Sequence, residues 1–219
     1  MSYLENLIML MDNAGDKEII VVCDFDGTIT TSDSDVTMNA MAKIAGNDSD
    51  SSKARTALYN EYGRYLTPSD NEEERYKMLE KWWKQQMELF KKYNFPPESY
   101  TEAIKKLKIT LRDGMPELLS YCEKNDIPVF IVSAGLGNLI IPILAFSGNL
   151  SMNMRVLSNF VRYDGDKAVS YTPVVTPMNK RAHLSLELGA FDSFHALVFG
   201  DNASDLDIFP DDMCTKVKI

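Results

Sequence analysis

The run Glu18-Ile19-Ile20-Val21-Val22-Cys23-Asp24-Phe25-Asp26-Gly27-Thr28 constrains the fold more than any other stretch. An apolar, β-branched segment stops abruptly at two carboxylates spaced i, i+2. The apolar part has the composition of a strand buried on both faces of a parallel sheet. Open α/β sheets bind ligands beyond the carboxyl ends of such strands. Asp24 and Asp26 therefore fall where chemistry is usually done. Gly27 supplies a sharp turn that strand geometry alone does not need.

Two later runs repeat the design. Pro128-Val129-Phe130-Ile131-Val132 leads into Ser133-Ala134-Gly135, and Ala196-Leu197-Val198-Phe199 leads into Gly200-Asp201. Parallel strands need crossover connections. Helical patterns lie between the runs, at Met115 to Asn125, at Leu136 to Ser147 (interrupted by Pro142) and at Asn179 to Leu188. Residues 155–172 differ, because Asp164-Gly165 is a hairpin turn signal between Val156–Tyr163 and Ala168–Tyr171. Thr215 to Ile219 is a candidate last strand, and Met1 to Asp16 a candidate amphipathic helix.

The stretch 31–111 has another texture, helical and rich in charge. Asp33-Ser34-Asp35 is placed to cap its first helix. Thr67-Pro68-Ser69-Asp70 predicts a turn before a long helix through Lys92, and a further helix spans Glu98 to about Lys108. The expected architecture is thus α/β, with a Rossmann-like parallel core from 1–30 and 112–219 and an all-helical module at 31–111. An insertion between the first two core strands sits over the catalytic edge, as a lid does.

With 219 residues, 45% of them hydrophobic, the chain can fill one core and a smaller module. The net charge of -9 excludes a nucleic-acid backbone as a natural partner. Three cysteines, an odd number, fit a reducing compartment and not a disulfide framework. Cys23 and Cys122 are expected to pack, and no zinc spacing is present. The apolar run 7–11 is too short to span a bilayer, so a soluble cytoplasmic protein is expected.

Phosphate monoester hydrolysis needs accelerations of up to ~10²¹, of which one general acid supplies only ~10²–10⁴. A nucleophile, a metal and an acid must act together, and all three can be drawn from these residues. Asp24 can attack phosphorus. Asp26 can protonate the leaving oxygen and later deprotonate water. Asp24 and Asp201 can hold Mg²⁺, a hard cation that prefers oxygen ligands. Ser133 and the N–H groups near Ala134 and Gly135 can grip phosphate oxygens, and Lys180 can neutralise the remaining charge. Asp205 can bind a metal-bound water or orient Lys180. Neighbouring carboxylates raise the pKa of Asp26 and a nearby Mg²⁺ lowers it.

Asp-Phe-Asp-Gly-Thr, Ser-Ala-Gly, Lys180 and Gly-Asp-x-x-x-Asp occur in the order seen in haloacid dehalogenase superfamily phosphatases, and the helical insertion resembles their type 1 cap. More narrowly, the chain resembles the cytosolic 5'-nucleotidase III (pyrimidine 5'-nucleotidase) family. Residues 127–137, Val156-Leu157-Ser158-Asn159-Phe160, Asn179-Lys180 and Glu73-Glu74-Arg75-Tyr76 with Trp82-Trp83 carry this likeness. The resemblance implies Asp24 as nucleophile and Mg²⁺ ligand, and Asp26 as acid/base with its carbonyl on the metal. It implies Ser133, Ala134 and Lys180 on phosphate and Asp201 as third ligand, with Thr28 supporting. The implied substrate is a nucleoside 5'-monophosphate of pyrimidine or 7-methylguanosine type.

The chain departs from that pattern in its cap. A base-contacting acid of the family falls at Tyr65 and a cap serine at Gln86. The family also runs on past the fourth motif, where this chain stops. Two rival expectations follow: a phosphatase of the same superfamily acting on another small phosphomonoester (phosphoserine-phosphatase-like), and a ligand-binding protein without turnover. Of Trp82 and Trp83, adjacent on one helix, at most one is expected in the pocket. Trp82 can stack on a base or pack, and Trp83 is expected to pack. His183 and His195 follow no strand edge and are expected to have no catalytic role.

Overall fold

β1 (Glu18–Cys23) owes its position to a continuous apolar run, and it forms the centre of a five-stranded, all-parallel sheet. The computed structural model describes residues 2–13, 15, 17–67, 70–190 and 193–219. β2 (Val129–Leu136) and β6 (Phe194–Gly200) flank β1, and β3 (Met154–Asn159) and β7 (Cys214–Lys218) form the edges. Register runs Val21 against Val129 and Leu197, and Cys23 against Ile131 and Phe199. The three strands carrying Asp24, Ser133 and Asp201 are therefore neighbours, and their carboxyl ends form one edge.

Period-two alternation divides the strand side chains between two cores. Val21, Cys23, Ile131, Leu197 and Phe199 pack with α1 (Tyr3–Asn13), α6 (Met115–Lys124) and α7 (Gly137–Phe146). Ile20, Val22, Phe130, Val132, Ala196 and Val198 pack on the other face with Leu184 of α8 (Lys180–Glu187) and with Ile208 and Phe209. The fold is a three-layer α/β architecture, as the sequence predicts. The α7 helix runs on through Pro142 without a break. The ends of the expected first helix, Met1 and Asp16, lie outside the described residues.

Between β1 and β2 the chain forms α2 (Ala40–Ala45), α3 (Asp50–Tyr62), α4 (Glu72–Tyr93) and α5 (Pro97–Lys106). Their apolar faces continue the larger core, with Trp82, Met87, Phe90 and Tyr100 in the same cluster as Val21 and Ile131. The helices are thus packed into the core and not perched on it. The entering and leaving connections pair with each other through the Thr30–Leu111 bridge, Thr31 N–H to Thr110 O and Asp35 N–H to Lys108 O.

Two expectations need correction. Asp33-Ser34-Asp35 caps no helix. The next turn begins at Thr37, and the two aspartates pair with Lys108 and Lys43 instead. A lysine across the chain crossing outcompetes the local N–H groups. The run Val156–Tyr163 is not one hairpin strand. It breaks at Phe160, so that 154–159 joins the main sheet beside β2 while β4 (Val161–Asp164) pairs with β5 (Lys167–Tyr171). The turn itself lies at Gly165 as expected (φ 56°). Pro68 and Ser69, half of the expected turn before α4, lie outside the described residues; α4 is capped by Asn71, whose side chain accepts from Glu74 N–H.

The hairpin is held to the inserted helices at two points. Asn94 ends α4 in the left-handed region (φ 46°), and its amide donates to Asp166 O and accepts from Ala168 N–H. The Tyr163 hydroxyl donates to Phe95 O at 2.6 Å and lies 2.7 Å from the Tyr100 hydroxyl.

Candidate active site

After β1 the chain makes a single wide turn, Phe25–Ile29, closed by Thr30 N–H to Phe25 O. Gly27 sits in it at φ 86°, and a Cβ there would come 2.9 Å from Asp201 Oδ2. Only glycine lets this turn pass so close to the end of β6. Arg112 braces the turn, donating to Thr28 O and Gly27 O at 3.1 and 2.7 Å. Thr28 is fully buried, and its hydroxyl accepts from Asp201 N–H, tying the first strand edge to the third.

Asp24 and Lys180 meet at the centre. Lys180 Nζ, on a side chain 4% exposed, lies 2.6 Å from Asp24 Oδ1 and 2.6 Å from Asp205 Oδ1. Burial pushes the Asp24 carboxyl up to about 7, against the pull of Lys180. Burial alone would lower Lys180, but the two carboxylates outweigh it and hold the ammonium charged. Asp205 Oδ1 accepts from Lys180 Nζ, and its other oxygen accepts from Asn202 N–H at 3.3 Å. Gly200 makes this possible, because a Cβ there would overlap Asp205 Cβ at 2.3 Å.

Asp26 points the other way. Thr37 N–H donates to its Oδ1 at 3.0 Å and the Thr37 hydroxyl to its Oδ2 at 2.8 Å. The hydroxyl also accepts from Leu136 N–H. Burial raises the Asp26 pKa, and the two Thr37 donors oppose that rise. A Cβ on Gly135 would strike both Thr37 Oγ1 and Asp26 Oδ2, so glycine is required for this contact. Thr37→Val is expected to lower stability by about 1–3 kcal/mol by stranding Leu136 N–H and one Asp26 oxygen. It should also slow turnover at least about tenfold, with Thr37→Ser recovering both. Thermal melts and kcat check this; an unchanged kcat would show that Thr37 does not position Asp26.

Ser133 is buried, and its hydroxyl accepts from Gly135 N–H at 3.0 Å. That N–H is therefore engaged and not, as expected from sequence, free to grip a phosphate. The loop is held from behind: Ala134 O accepts from Trp83 Nε1 at 2.8 Å and from Asn159 Nδ2 at 2.9 Å. The same buried Asn159 amide donates to Gly135 O and Val175 O and accepts from Val175 N–H.

Asp24, Asp26, Ser133, Ala134, Gly135, Lys180 and Asp205 all line one cavity of about 480 Å³, roofed by α3 and α4. Trp82, Trp83 and Gln86 line it as well. Reading Trp83 as packing alone needs correction, because the cavity wall takes in both tryptophans and Trp83 reaches the Ser133 loop. Tyr65 is not among the lining residues; its carbonyl accepts from Arg75 and its hydroxyl from Arg64. His183 and His195 lie outside the cavity, beside Val174 O and Thr215. Asp24, Asp201 and Asp205 each offer a carboxylate oxygen within 4.8 Å of the others. An all-oxygen, triply acidic set fits a hard divalent cation. Asp26 does not join that set through its side chain.

Thr37, Arg112, Asn159 and Arg55, which also lines the cavity, were not singled out by sequence reasoning. Asn159 carried a signal, as an amide in a largely β-branched and apolar run. The others carried none, since single polar residues in loops and helices are ordinary on a surface.

Known proteins share the sequence pattern and fold of this chain. The family model described as pyrimidine 5'-nucleotidase (UMPH-1) matches residues 23–211. A 7-methylguanosine phosphate-specific 5'-nucleotidase A from Xenopus laevis is 23% identical over 215 residues, covering 93% of this chain and 74% of that protein. A Drosophila melanogaster protein named 7-methylguanosine phosphate-specific 5'-nucleotidase is 27% identical over 218 residues, covering 94% and 68%. The crystal structure of cytosolic 5'-nucleotidase IIIB bound to cytidine superposes with a TM-score of 0.77 at 21% identity, covering 98% of this chain and 78% of that one. A phosphoserine phosphatase in its phospho-aspartyl intermediate analogue form shares the fold at TM-score 0.58 and 18% identity, covering 88% and 82%. With its Asp-x-Asp strand end, its buried lysine and a family match over most of its length, the chain belongs to the pyrimidine 5'-nucleotidase (UMPH-1) family.

Proposed function

We propose that the protein removes the 5'-phosphate from nucleoside monophosphates through an aspartyl-phosphate on Asp24. The convergence of Asp24, Asp26, Ser133 and Lys180 on one cavity carries this reading. The volume suits a ligand of nucleotide size. The names of the relatives and the cytidine in the structural neighbour support a nucleoside in the roofed half.

Lys180 holds Asp24 Oδ1, which leaves Oδ2 to attack phosphorus. As the P–O ester bond breaks, the nucleoside oxygen takes a proton from Asp26. Water then attacks the acyl phosphate, giving its proton to the Asp26 carboxylate and releasing inorganic phosphate and free Asp24. Ser133 and Lys180 hold the phosphoryl oxygens throughout. Asp24 and Asp201, with the Asp26 carbonyl, would hold Mg²⁺, which when bound offsets the charge crowded between carboxylates and phosphate. The helical segment 31–111 closes over the substrate and excludes water, Trp82 and Trp83 forming the wall beside the base. Free cysteines and, among the described residues, no helix long and apolar enough to cross a membrane accord with a cytosolic enzyme.

Phosphate release from UMP, CMP, 7-methyl-GMP, AMP, phosphoserine and an aryl phosphate, with Mg²⁺ and then with EDTA, tests the proposal. Selective, EDTA-sensitive turnover of nucleotides is expected. Turnover of phosphoserine but of no nucleotide would overturn the substrate class, and no turnover at all would overturn catalysis.

A further inference from the structure

The cavity is divided chemically. Its floor carries Asp24, Asp26 and Asp205 around Lys180, whereas its roof, from Val36 to Gln86, contributes no carboxylate among the described lining residues. The charged groups of the roof are Arg55 and Arg75. Arg75 is already engaged, by Glu72 at 2.7 Å and by Tyr65 O at 2.9 Å. Arg55 has a neutral partner, with Nη2 donating to Asn39 Oδ1, and its buried Nε has no acceptor. No carboxylate among the described residues offsets its burial, which alone lowers its pKa.

The surroundings of Arg55 are aromatic. Tyr59 follows it by one turn of α3 on the same face and meets Trp82 edge-on at 6.0 Å. Trp82 in turn meets Trp83 at 4.9 Å. Gln86 lines the same cavity at 3% exposure. A buried guanidinium N–H without an acceptor is costly unless a ligand supplies what is missing. For Arg55 that is an acceptor, because a guanidinium has none of its own to offer a donor.

We infer that Arg55 is a specificity-determining residue, and that it selects nucleoside monophosphates whose base carries a keto oxygen at its far edge over those carrying an amine. This rests on the nucleotidase reading. With the phosphate held at the floor by Lys180, the far edge of a pyrimidine is its C4 substituent. That group is an oxygen acceptor in uracil and an amine donor in cytosine. Arg55 donates to the first and faces the second donor to donor, while the Gln86 amide presents either its oxygen or its nitrogen to the ring edge. The same chemistry favours 6-keto over 6-amino purines.

The test is kcat/KM for UMP, CMP and an aryl phosphate in the wild type, Arg55→Met and Arg55→Gln, with Mg²⁺. The wild type is expected to prefer UMP by about tenfold or more, in the range where one unpaired polar group discriminates. Arg55→Met should bring the two nucleotides within about twofold, mainly through a raised KM for UMP, and leave the aryl phosphate within about twofold of wild type. Equal use of UMP and CMP by the wild type, or an unchanged ratio in Arg55→Met, would overturn the inference. If Arg55→Met also loses the aryl phosphate through misfolding, Arg55→Gln decides: a narrowed ratio supports the role and an unchanged one overturns it. Aryl phosphate turnover with no turnover of any nucleotide would overturn the nucleotidase reading itself, a result distinct from an unchanged ratio.

Discussion

Asp24→Asn is expected to lower phosphate release from every substrate by at least about 10⁴-fold, while the protein stays folded. An amide fills the same volume but cannot form the acyl phosphate, and loss of a nucleophile removes the pathway and not merely one contact. Lys180 keeps Asp205 at 2.6 Å in the variant, so the buried cation is not stranded. The carboxylate that burial pushes up to about 7 is gone, so the melting temperature should be unchanged or higher. Steady-state rates beside a thermal melt check both halves. Residual activity within tenfold of wild type would mean that Asp24 is not the nucleophile, whatever metal it binds.

Lys180→Ala is expected to cost the most stability. It leaves Asp24 and Asp205 buried without their counter-ion, and breaking a buried pair by removing one partner typically costs about 3–5 kcal/mol. For a chain of this size that is a fall of roughly 6–20 °C in melting temperature. Turnover should fall by about 10²–10³, the scale of one lost group on a developing oxyanion. With Mg²⁺ held as proposed by the native carboxylates, millimolar Mg²⁺ should recover part of the loss, and more in the variant than in the wild type. The sign with pH is also fixed. A carboxyl whose pKa is raised in the native state destabilises it above that pKa, and the penalty fades as pH falls toward the unfolded value near 4. Lys180 pulls the Asp24 pKa down toward about 7, so the variant's carboxyl titrates higher still, and the deficit of Lys180→Ala should narrow as pH is lowered from about 9 to about 7. A melting temperature equal to that of the wild type across that range would show that the ion pair contributes nothing net.

Asp24, Ser133 and Asp201 could be placed on one edge before any coordinates because each follows an apolar run at once, and parallel strands share an end. Lys180 and Asp205 could be assigned to the site, but their mutual contact could not, since it needs Gly200 to admit Asp205 against β6. The long helix through residue 92 was legible from its pattern and ends at Tyr93. The fate of Asp33 and Asp35 was not. Local capping is worth about 1 kcal/mol, and a lysine arriving from the other side of the chain crossing is enough to redirect it. Likewise Val156–Tyr163 has one β pattern but two destinations, because β2 and the hairpin compete for it and the break falls at Phe160.

The sequence by itself determined the layer architecture, the strand edge that bears the carboxylates and the residue types available for phosphoryl chemistry. Periodicity and abrupt polarity changes are local properties, and they survive in a one-dimensional reading. Only the tertiary structure decided that Thr37 holds Asp26, that Asn159 and Trp83 brace the Ser133 loop, that Tyr65 turns away and that Arg55 faces the cavity. Each of these joins residues from separate elements or depends on which face of a helix meets the sheet. Such pairings are set by the packing of α3 and α4 over the edge, which no spacing along the chain encodes.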